Sequence, residues 1–167
     1  MKKCSSDTLR SLASDIELEL VKLTRLEQDI SDAKEKSRQN PQLSNLIYES
    51  IALKFHNFYT GCEHIFSLVS TDLNGGVPKG PDWHVRLLKR MSSVHEERKA
   101  VISSGTANLL NEFLGFRHVI RNIYSFDLDI ERIDKLLSKY PDTWAQVEHD
   151  VSDFVTWLRD LAIALEA

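Results

Sequence analysis

Apolar residues recur in a heptad-like register over the first part of the chain, from Asp7 to about Lys36. The repeat is formed by Leu9, Ile16, Leu23 and Ile30 at one position and by Leu12, Leu26 and Ala33 at the other. Residues spaced in this way lie on one face of a helix, so the pattern predicts a long amphipathic helix. Glu19 interrupts the second series. The pattern fits a seam within the molecule or a seam between two copies of it.

Helix breakers divide the remainder of the chain. Asn40-Pro41 ends the first helix, because proline disfavours the α region in the residue before it, and a second helix is expected from about Gln42 to Leu73. The segment from Asn74 to Pro81 is rich in glycine and proline and is expected to be a loop, with a third helix starting at Asp82.

The C-terminal half continues in the same way. A fourth helix is expected to run from the Ser103–Thr106 turn to about Tyr124, Asp127 or Asp129 could cap a short fifth helix, and Pro141 suits the first turn of a last one. No segment alternates as a strand does. The sequence therefore predicts an all-α fold, an antiparallel bundle of about five to six helices. We expect one domain over residues 1–167, with the long N-terminal helix in 1–40 and the rest of the bundle in 41–167.

Composition excludes several classes of protein. The two cysteines, Cys4 and Cys62, give no disulfide framework or paired-cysteine metal site, and the histidines His56 and His64 are too far apart for a two-ligand metal pair. No metal or cofactor is expected.

Met1-Lys2-Lys3-Cys4 is not followed by an apolar segment, and no run of 18 apolar residues occurs, so we expect a cytoplasmic chain with no secretion signal and no membrane contact.

The most unusual local composition lies between Phe116 and Tyr124. On a helix, Arg117, His118, Arg121 and Asn122 are expected to share a polar face, with Tyr124 at its edge and the apolar side chains opposite. Arginine matches phosphate oxygens, histidine titrates near neutral pH, and tyrosine offers a hydroxyl or a stacking ring. With a net charge of −4, an RNA site must be a local patch of this kind.

Two simpler interpretations concern this polar face and His84. The polar face could be a solvated helix surface, with its arginines paired to Glu112, Asp127 or a carboxylate on a neighbouring helix. His84 follows Trp83 at the start of the third helix, where the helix dipole disfavours an imidazolium, so a neutral imidazole is expected there.

Three clusters of residues together resemble the HepT-like branch of the HEPN proteins. The first runs from Phe116-Arg117-His118 through Arg121-Asn122-x-Tyr124 to Phe126 and Leu128. The others are His56-x-Phe58-Tyr59-Thr60-Gly61 with Glu63 and Ile65-Phe66, and Asp82-Trp83-His84 with Leu87-Leu88 and Met91. The resemblance spans about residues 45 to 130.

The resemblance implies a helical homodimer that acts as the toxin-side partner of a minimal nucleotidyltransferase antitoxin. Such proteins cleave RNA, tRNA among the candidates, without a metal ion, through an R-x4-6-H motif that is often extended to R-x4-H-x-Y. In this sequence Arg117 matches the arginine and Tyr124 the tyrosine, but Asn122 stands where the histidine is expected. An amide does not exchange a proton near neutral pH as an imidazole does.

The resemblance thus implies a catalytic set of Arg117, His118, Asn122 and Tyr124, with His118 in place of the absent histidine. Arg117 and Arg121 are the implied phosphate-binding residues, and Tyr124 is the implied acceptor of AMP from the nucleotidyltransferase. Two alternatives remain open. The first is a noncatalytic module that binds a nucleotide or the partner. The second is a structural bundle that assembles through its first helix.

Overall fold

The computed structural model describes residues 5–95, 98–122 and 128–166, with the backbone alone at 118, 119, 121 and 122. Within these ranges the regular elements are helical, apart from an isolated bridge between His95 and Arg98. The helices are α1 (Ser6–Gln39), a 3₁₀ turn (Pro41–Leu43), α2 (Ser44–Leu73), α3 (Trp83–Met91), α4 (Ser104–Asn122) and α5 (Ile130–Ala164). The predicted all-α bundle is confirmed.

Helix α1 packs within the molecule, against α2 and α5. Its predicted apolar series is buried at Leu9, Leu12, Ile16, Leu23, Ile30 and Ala33, and is half-buried at Leu26. Two ion pairs, Arg10 with Glu166 (2.8 Å) and Glu17 with Arg159 (2.6 Å), show that α1 and α5 run antiparallel, because the partner's number falls as the α1 residue number rises. The heptad register is therefore used as an intramolecular seam.

Aromatic side chains from α2, α4 and α5 meet in the core. Phe55 and Phe58 of α2 pack edge-on against Phe113 of α4, with ring centroids 5.4 and 5.3 Å apart, and Phe58 lies 5.0 Å from Tyr140 of α5. Edge-to-face pairs of this kind add to the free energy gained by apolar burial. They fix α4 beside the middle of α2, which is the geometry that the site requires.

The C-terminal part differs from the sequence prediction. The separate short helix and last helix are one continuous helix, α5, with Pro141 in its interior rather than in a first turn. Asp129 is the N-cap, and its side chain accepts a hydrogen bond from the Arg132 backbone N–H at 3.1 Å. Proline removes one backbone hydrogen bond, but Tyr140 and Trp144 are buried on either side of it. The packing of these side chains in the core therefore stabilises a helix that continues past the proline.

The loop between α2 and α3 is held by two arginines. Arg90 donates to the Gly76 carbonyl oxygen (2.9 Å) and to Ser70 Oγ (3.1 Å). Arg98, only 1% exposed, donates to the carbonyl oxygens of Arg90 and Ser93 and to Asn74 Oδ1. The predicted turn at residues 75–76 has positive φ angles, which glycine tolerates. These contacts fix the position of α3 on α2.

Two leucines near the start of α2 are exposed to solvent: Leu43 in the preceding 3₁₀ turn and Leu46 in the first turn of the helix. None of the described helices is long and apolar enough to cross a membrane.

Candidate functional site

Helix α4 carries Arg117 into the interior. The helix starts where Ser103 Oγ accepts a hydrogen bond from the Thr106 backbone N–H, and Asp150 of α5 accepts from both residues. Its buried positions include Thr106, Leu110, Phe113 and Arg117. This i, i+4, i+7, i+11 series lies on one face of an α-helix. Arg117 therefore extends the core stripe of α4.

This position differs from the polar face expected from the sequence. The side chain of Arg117 is 9% exposed and points between α2 and α3 rather than into solvent. Helical geometry alone could not foresee this, because an arginine is buried only where an oppositely charged partner compensates the loss of hydration. The partner is a carboxylate on a neighbouring helix, as one of the simpler interpretations allowed.

Glu63 of α2 is that partner, and it contacts two groups at once. Its Oε1 lies 3.3 Å from Arg117 Nη2, and its Oε2 lies 2.5 Å from His84 Nδ1. The side chains of Glu63 and His84 are 7% and 10% exposed. An ionised carboxylate only accepts hydrogen bonds, so Nδ1–H of His84 is the donor. The carboxylate thus bridges α3 and α4.

The imidazole of His84 lies between an aromatic ring and the guanidinium. The Trp83 ring stacks on it with centroids 3.6 Å apart and planes tilted by 33°. Arg117 Nη1 lies 3.4 Å from both ring nitrogens, so the guanidinium is not directed at one nitrogen in particular. These are contacts at the long limit of hydrogen bonding, and the shorter bond to Glu63 contributes more to the orientation of the ring.

Not every polar atom of these three side chains has a hydrogen-bond partner among the described residues. Arg117 Nε is buried, and no described residue accepts a hydrogen bond from it. Tyr59, one helical turn before Glu63, has a hydroxyl whose pKa is raised well above its usual range by burial and then by the negative charge of Glu63, while Arg117 opposes the shift. We call Glu63, His84 and Arg117 the buried polar cluster.

The other predicted site residues are only partly visible. The backbone of His118, Arg121 and Asn122 continues α4 to its last residue. Tyr124 lies outside the described residues, as does Asp127. Glu112 pairs with Lys139 of α5 at 2.8 Å and not with Arg117.

Residues 5–95, 98–122 and 128–166 contain no group of three or more His, Cys, Asp or Glu side chains placed to hold a metal ion. Glu19 of α1, which interrupts the heptad series, contacts Lys22 at 2.9 Å and His64 Nδ1 at 3.3 Å at the edge of the α1–α2 seam.

A comparison with protein families identifies the family of the chain. The model of the HepT-like protein family matches residues 50–158, which is more than half of the chain and includes all three residues of the buried polar cluster. The chain belongs to the HepT-like family. Neither the curated proteins nor the solved structures gave a match. In this HepT-like protein, helix α1 lies outside the matched range, so its packing against α2 and α5 is a feature that the family model does not cover.

Sequence reasoning found Arg117 but underrated its partners. Glu63 appeared only within the resemblance, although a carboxylate beside Cys62, Ile65 and Phe66 on an apolar stripe signals a buried charge that needs a partner. His84 was expected to be neutral and was not assigned to the site. In this chain both side chains converge on Arg117, because α2, α3 and α4 pack against one another.

Proposed function

We propose that this HepT-like protein is the toxin-side component of a HEPN/nucleotidyltransferase pair and cleaves RNA as a homodimer, without a metal ion. The observation that carries the proposal is that the motif arginine, Arg117, belongs to the buried polar cluster. Burying three ionisable side chains together costs free energy. Clusters of this kind are therefore concentrated at functional sites.

The chemistry of metal-free RNA cleavage matches the groups present. The 2′-hydroxyl attacks the adjacent phosphorus, and negative charge develops on the phosphoryl oxygens in the transition state. A guanidinium held in a fixed orientation stabilises that charge without reorganising. In this proposal Glu63 sets the orientation of Arg117 through Nη2, and Arg121 adds positive charge from the next turn of α4. His118, Asn122 and Tyr124 complete the catalytic set.

The charge distribution supports RNA as the ligand. The chain has a net charge of −4, yet α3 contains Arg86, Lys89 and Arg90 and no acidic residue. Arg86 and Lys89 are exposed, as is Lys79 in the loop before α3. This basic surface lies on the same short helix that carries His84. A local positive surface can hold phosphates despite the acidic balance of the whole chain, although Arg86 also pairs with Asp82 at 3.2 Å.

The direct test is cleavage of total tRNA in the presence of a chelator. The parent chain should cleave, and Arg117→Ala should lose activity by about 100-fold or more, since one donor to developing charge contributes that much. Arg159→Ala is the matched control, because Arg159 is an exposed arginine that pairs with Glu17 far along α5. An Arg117→Ala variant that is folded and cleaves as fast as Arg159→Ala would sink the proposal.

The pairing with a nucleotidyltransferase is tested separately, through the modification of Tyr124. Coexpression with a minimal nucleotidyltransferase should add the mass of one AMP group to the chain, and Tyr124→Phe should abolish the addition. Tyr48→Phe is the control, because the Tyr48 hydroxyl is already bonded to Asp134 Oδ1 at 2.5 Å. An AMP group that persists in Tyr124→Phe would refute the assignment of this tyrosine.

A second candidate function is a noncatalytic module that binds a nucleotide or the partner. Two observations favour it: Asn122 replaces the motif histidine, and the Arg117 side chain is largely buried in its ion pair with Glu63. RNA affinity without turnover in the tRNA assay would establish this function in place of the first.

A further inference from the structure

Glu63 and His84 form a carboxylate–imidazole pair. The short contact between Oε2 and Nδ1, 2.5 Å, places the proton of the imidazole on Nδ1. The other ring nitrogen, Nε2, then carries the lone pair. A carboxylate that fixes the tautomer and orientation of a histidine in this way is the arrangement that makes an imidazole an effective base.

The surroundings hold the ring in that orientation. Helix α3 packs against α2 and α4 among the described elements. Among the described residues, the charged groups in contact with the ring include Glu63 on α2 and Arg117 on α4, and Tyr59 lies one turn before Glu63. Trp83 covers one side of the imidazole. Among the described residues, the Glu63 carboxylate contacts the ring at Nδ1, and the Arg117 guanidinium lies beside both nitrogens.

The distance to Arg117 connects this pair with phosphate chemistry. Arg117 Nη1 lies 3.4 Å from His84 Nε2, and Arg117 Nε has no acceptor among the described residues. A phosphate bound by the guanidinium would therefore lie within a few ångströms of the imidazole. The residue at the motif position, Asn122, has no such titrating group.

We infer that His84 supplies the proton acceptor that the motif lacks at Asn122, and that Glu63 is its positioning residue. This inference rests on the proposed RNA cleavage. Nε2 takes the proton of the 2′-hydroxyl as the 2′-oxygen bonds to phosphorus. The bond from phosphorus to O5′ breaks, and O5′ takes a proton from water. The products are a 2′,3′-cyclic phosphate and a 5′-hydroxyl, and the imidazolium returns its proton to solvent.

The test compares three histidine variants in single-turnover cleavage with a chelator. His84→Gln should slow cleavage by about 100-fold or more, the usual contribution of a general base. His118→Gln tests the histidine favoured by the sequence, and His149→Gln is the control, because His149 is exposed on α5 and pairs with Asp153. We expect the rate of the parent to fall towards acid pH as the general base takes up a proton. That limb should be absent from His84→Gln and present in His149→Gln.

Folding of each variant is checked by its thermal unfolding. If His84→Gln does not fold, the imidazole ¹⁵N signals of the parent give the answer without a substitution. A 2′-deoxy strand, which cannot be cleaved, should shift the Nε2 signal of His84 and leave the proton on Nδ1. An unshifted Nε2 signal would overturn the inference.

The outcomes separate the inference from the proposed function. If the parent cleaves RNA and a folded His84→Gln variant cleaves it equally well, the role of His84 is overturned. The proposed function is then unaffected. A parent that cleaves nothing would overturn the proposed function and this inference with it. Loss of cleavage in His118→Gln but not in His84→Gln would assign the base to His118.

Discussion

The Glu63 carboxylate lies between His84 and Arg117, 2.5 Å from Nδ1 of the imidazole and 3.3 Å from Nη2 of the guanidinium. Because all three side chains are buried, the carboxylate compensates the positive charge of Arg117 at a place where little water can do so. Removing one member of a buried ion pair is far more destabilising than removing an exposed one.

The first prediction is that Glu63→Gln lowers the free energy of unfolding by about 3–5 kcal/mol, because the Arg117 guanidinium stays buried without its counter-charge. Urea unfolding measures the change. Glu112→Gln, which breaks the exposed pair with Lys139, is the control and should cost at most about 1 kcal/mol. Replacing both partners, as Glu63→Leu with Arg117→Met, should recover much of the loss. Two fully additive losses would contradict a coupled pair.

The second prediction concerns Tyr140. Its hydroxyl is buried with no hydrogen-bond partner among the described residues, and burial raises its pKa far above the usual range. Tyr140→Phe removes an unsatisfied polar group, so the free energy of unfolding at neutral pH should rise by about 1 kcal/mol. Tyr48→Phe, which removes a hydrogen bond to Asp134, should not raise it.

The same tyrosine gives a pH dependence of defined sign. A raised pKa in the folded state favours the protonated hydroxyl, so its contribution to stability is complete below the unfolded pKa of about 10 and is lost as pH rises above it. The parent should therefore lose stability more steeply than Tyr140→Phe above about pH 10. Equal slopes in the alkaline range would show that the hydroxyl ionises as readily in the folded chain as in the unfolded one.

The third prediction concerns Arg98, which closes the loops on both sides of α3. Its guanidinium donates to Asn74 Oδ1 and to the carbonyl oxygens of Arg90, Ser93 and Lys99. Arg98→Met should cost about 3 kcal/mol or more, because several buried acceptors lose their donor at once. Arg159→Met, at an exposed arginine, should cost at most about 1 kcal/mol. Hydrogen exchange should rise first in α3 if the loops position it, and unchanged exchange there would contradict this.

The fourth prediction concerns Pro141 in the interior of α5. Pro141 is exposed, so Pro141→Ala removes no core contact and restores a backbone N–H that can bond the Leu137 carbonyl oxygen. The free energy of unfolding should increase, by as much as about 3 kcal/mol. Thermal unfolding is the measurement. A decrease would show that the packing of α5 depends on a bend at the proline.

The fold was largely predictable from the sequence because the spacing of apolar residues indicates which face of each helix is buried. The heptad series of α1 and the stop at Asn40-Pro41 gave the first helix to within a few residues. The error at α5 arose because Pro141 was given its local preference, while Tyr140 and Trp144 in the core override it. Propensity is a weak guide where tertiary packing is strong.

The candidate site was predictable only in part, because its partners are distant in sequence. Arg117 was identified from the motif, but a helical wheel cannot show that Glu63 and His84, from α2 and α3, converge on it. Those contacts arise from how three helices pack. The role of Tyr124 stays a prediction, since it lies outside the described residues.

The most direct test of the central claim is the product of incubating the parent chain with total tRNA and a chelator. The account predicts fragments that end in a 2′,3′-cyclic phosphate and carry a 5′-hydroxyl, with their formation lost in Arg117→Ala and retained in Arg159→Ala. Intact tRNA at every concentration of folded parent protein would contradict it.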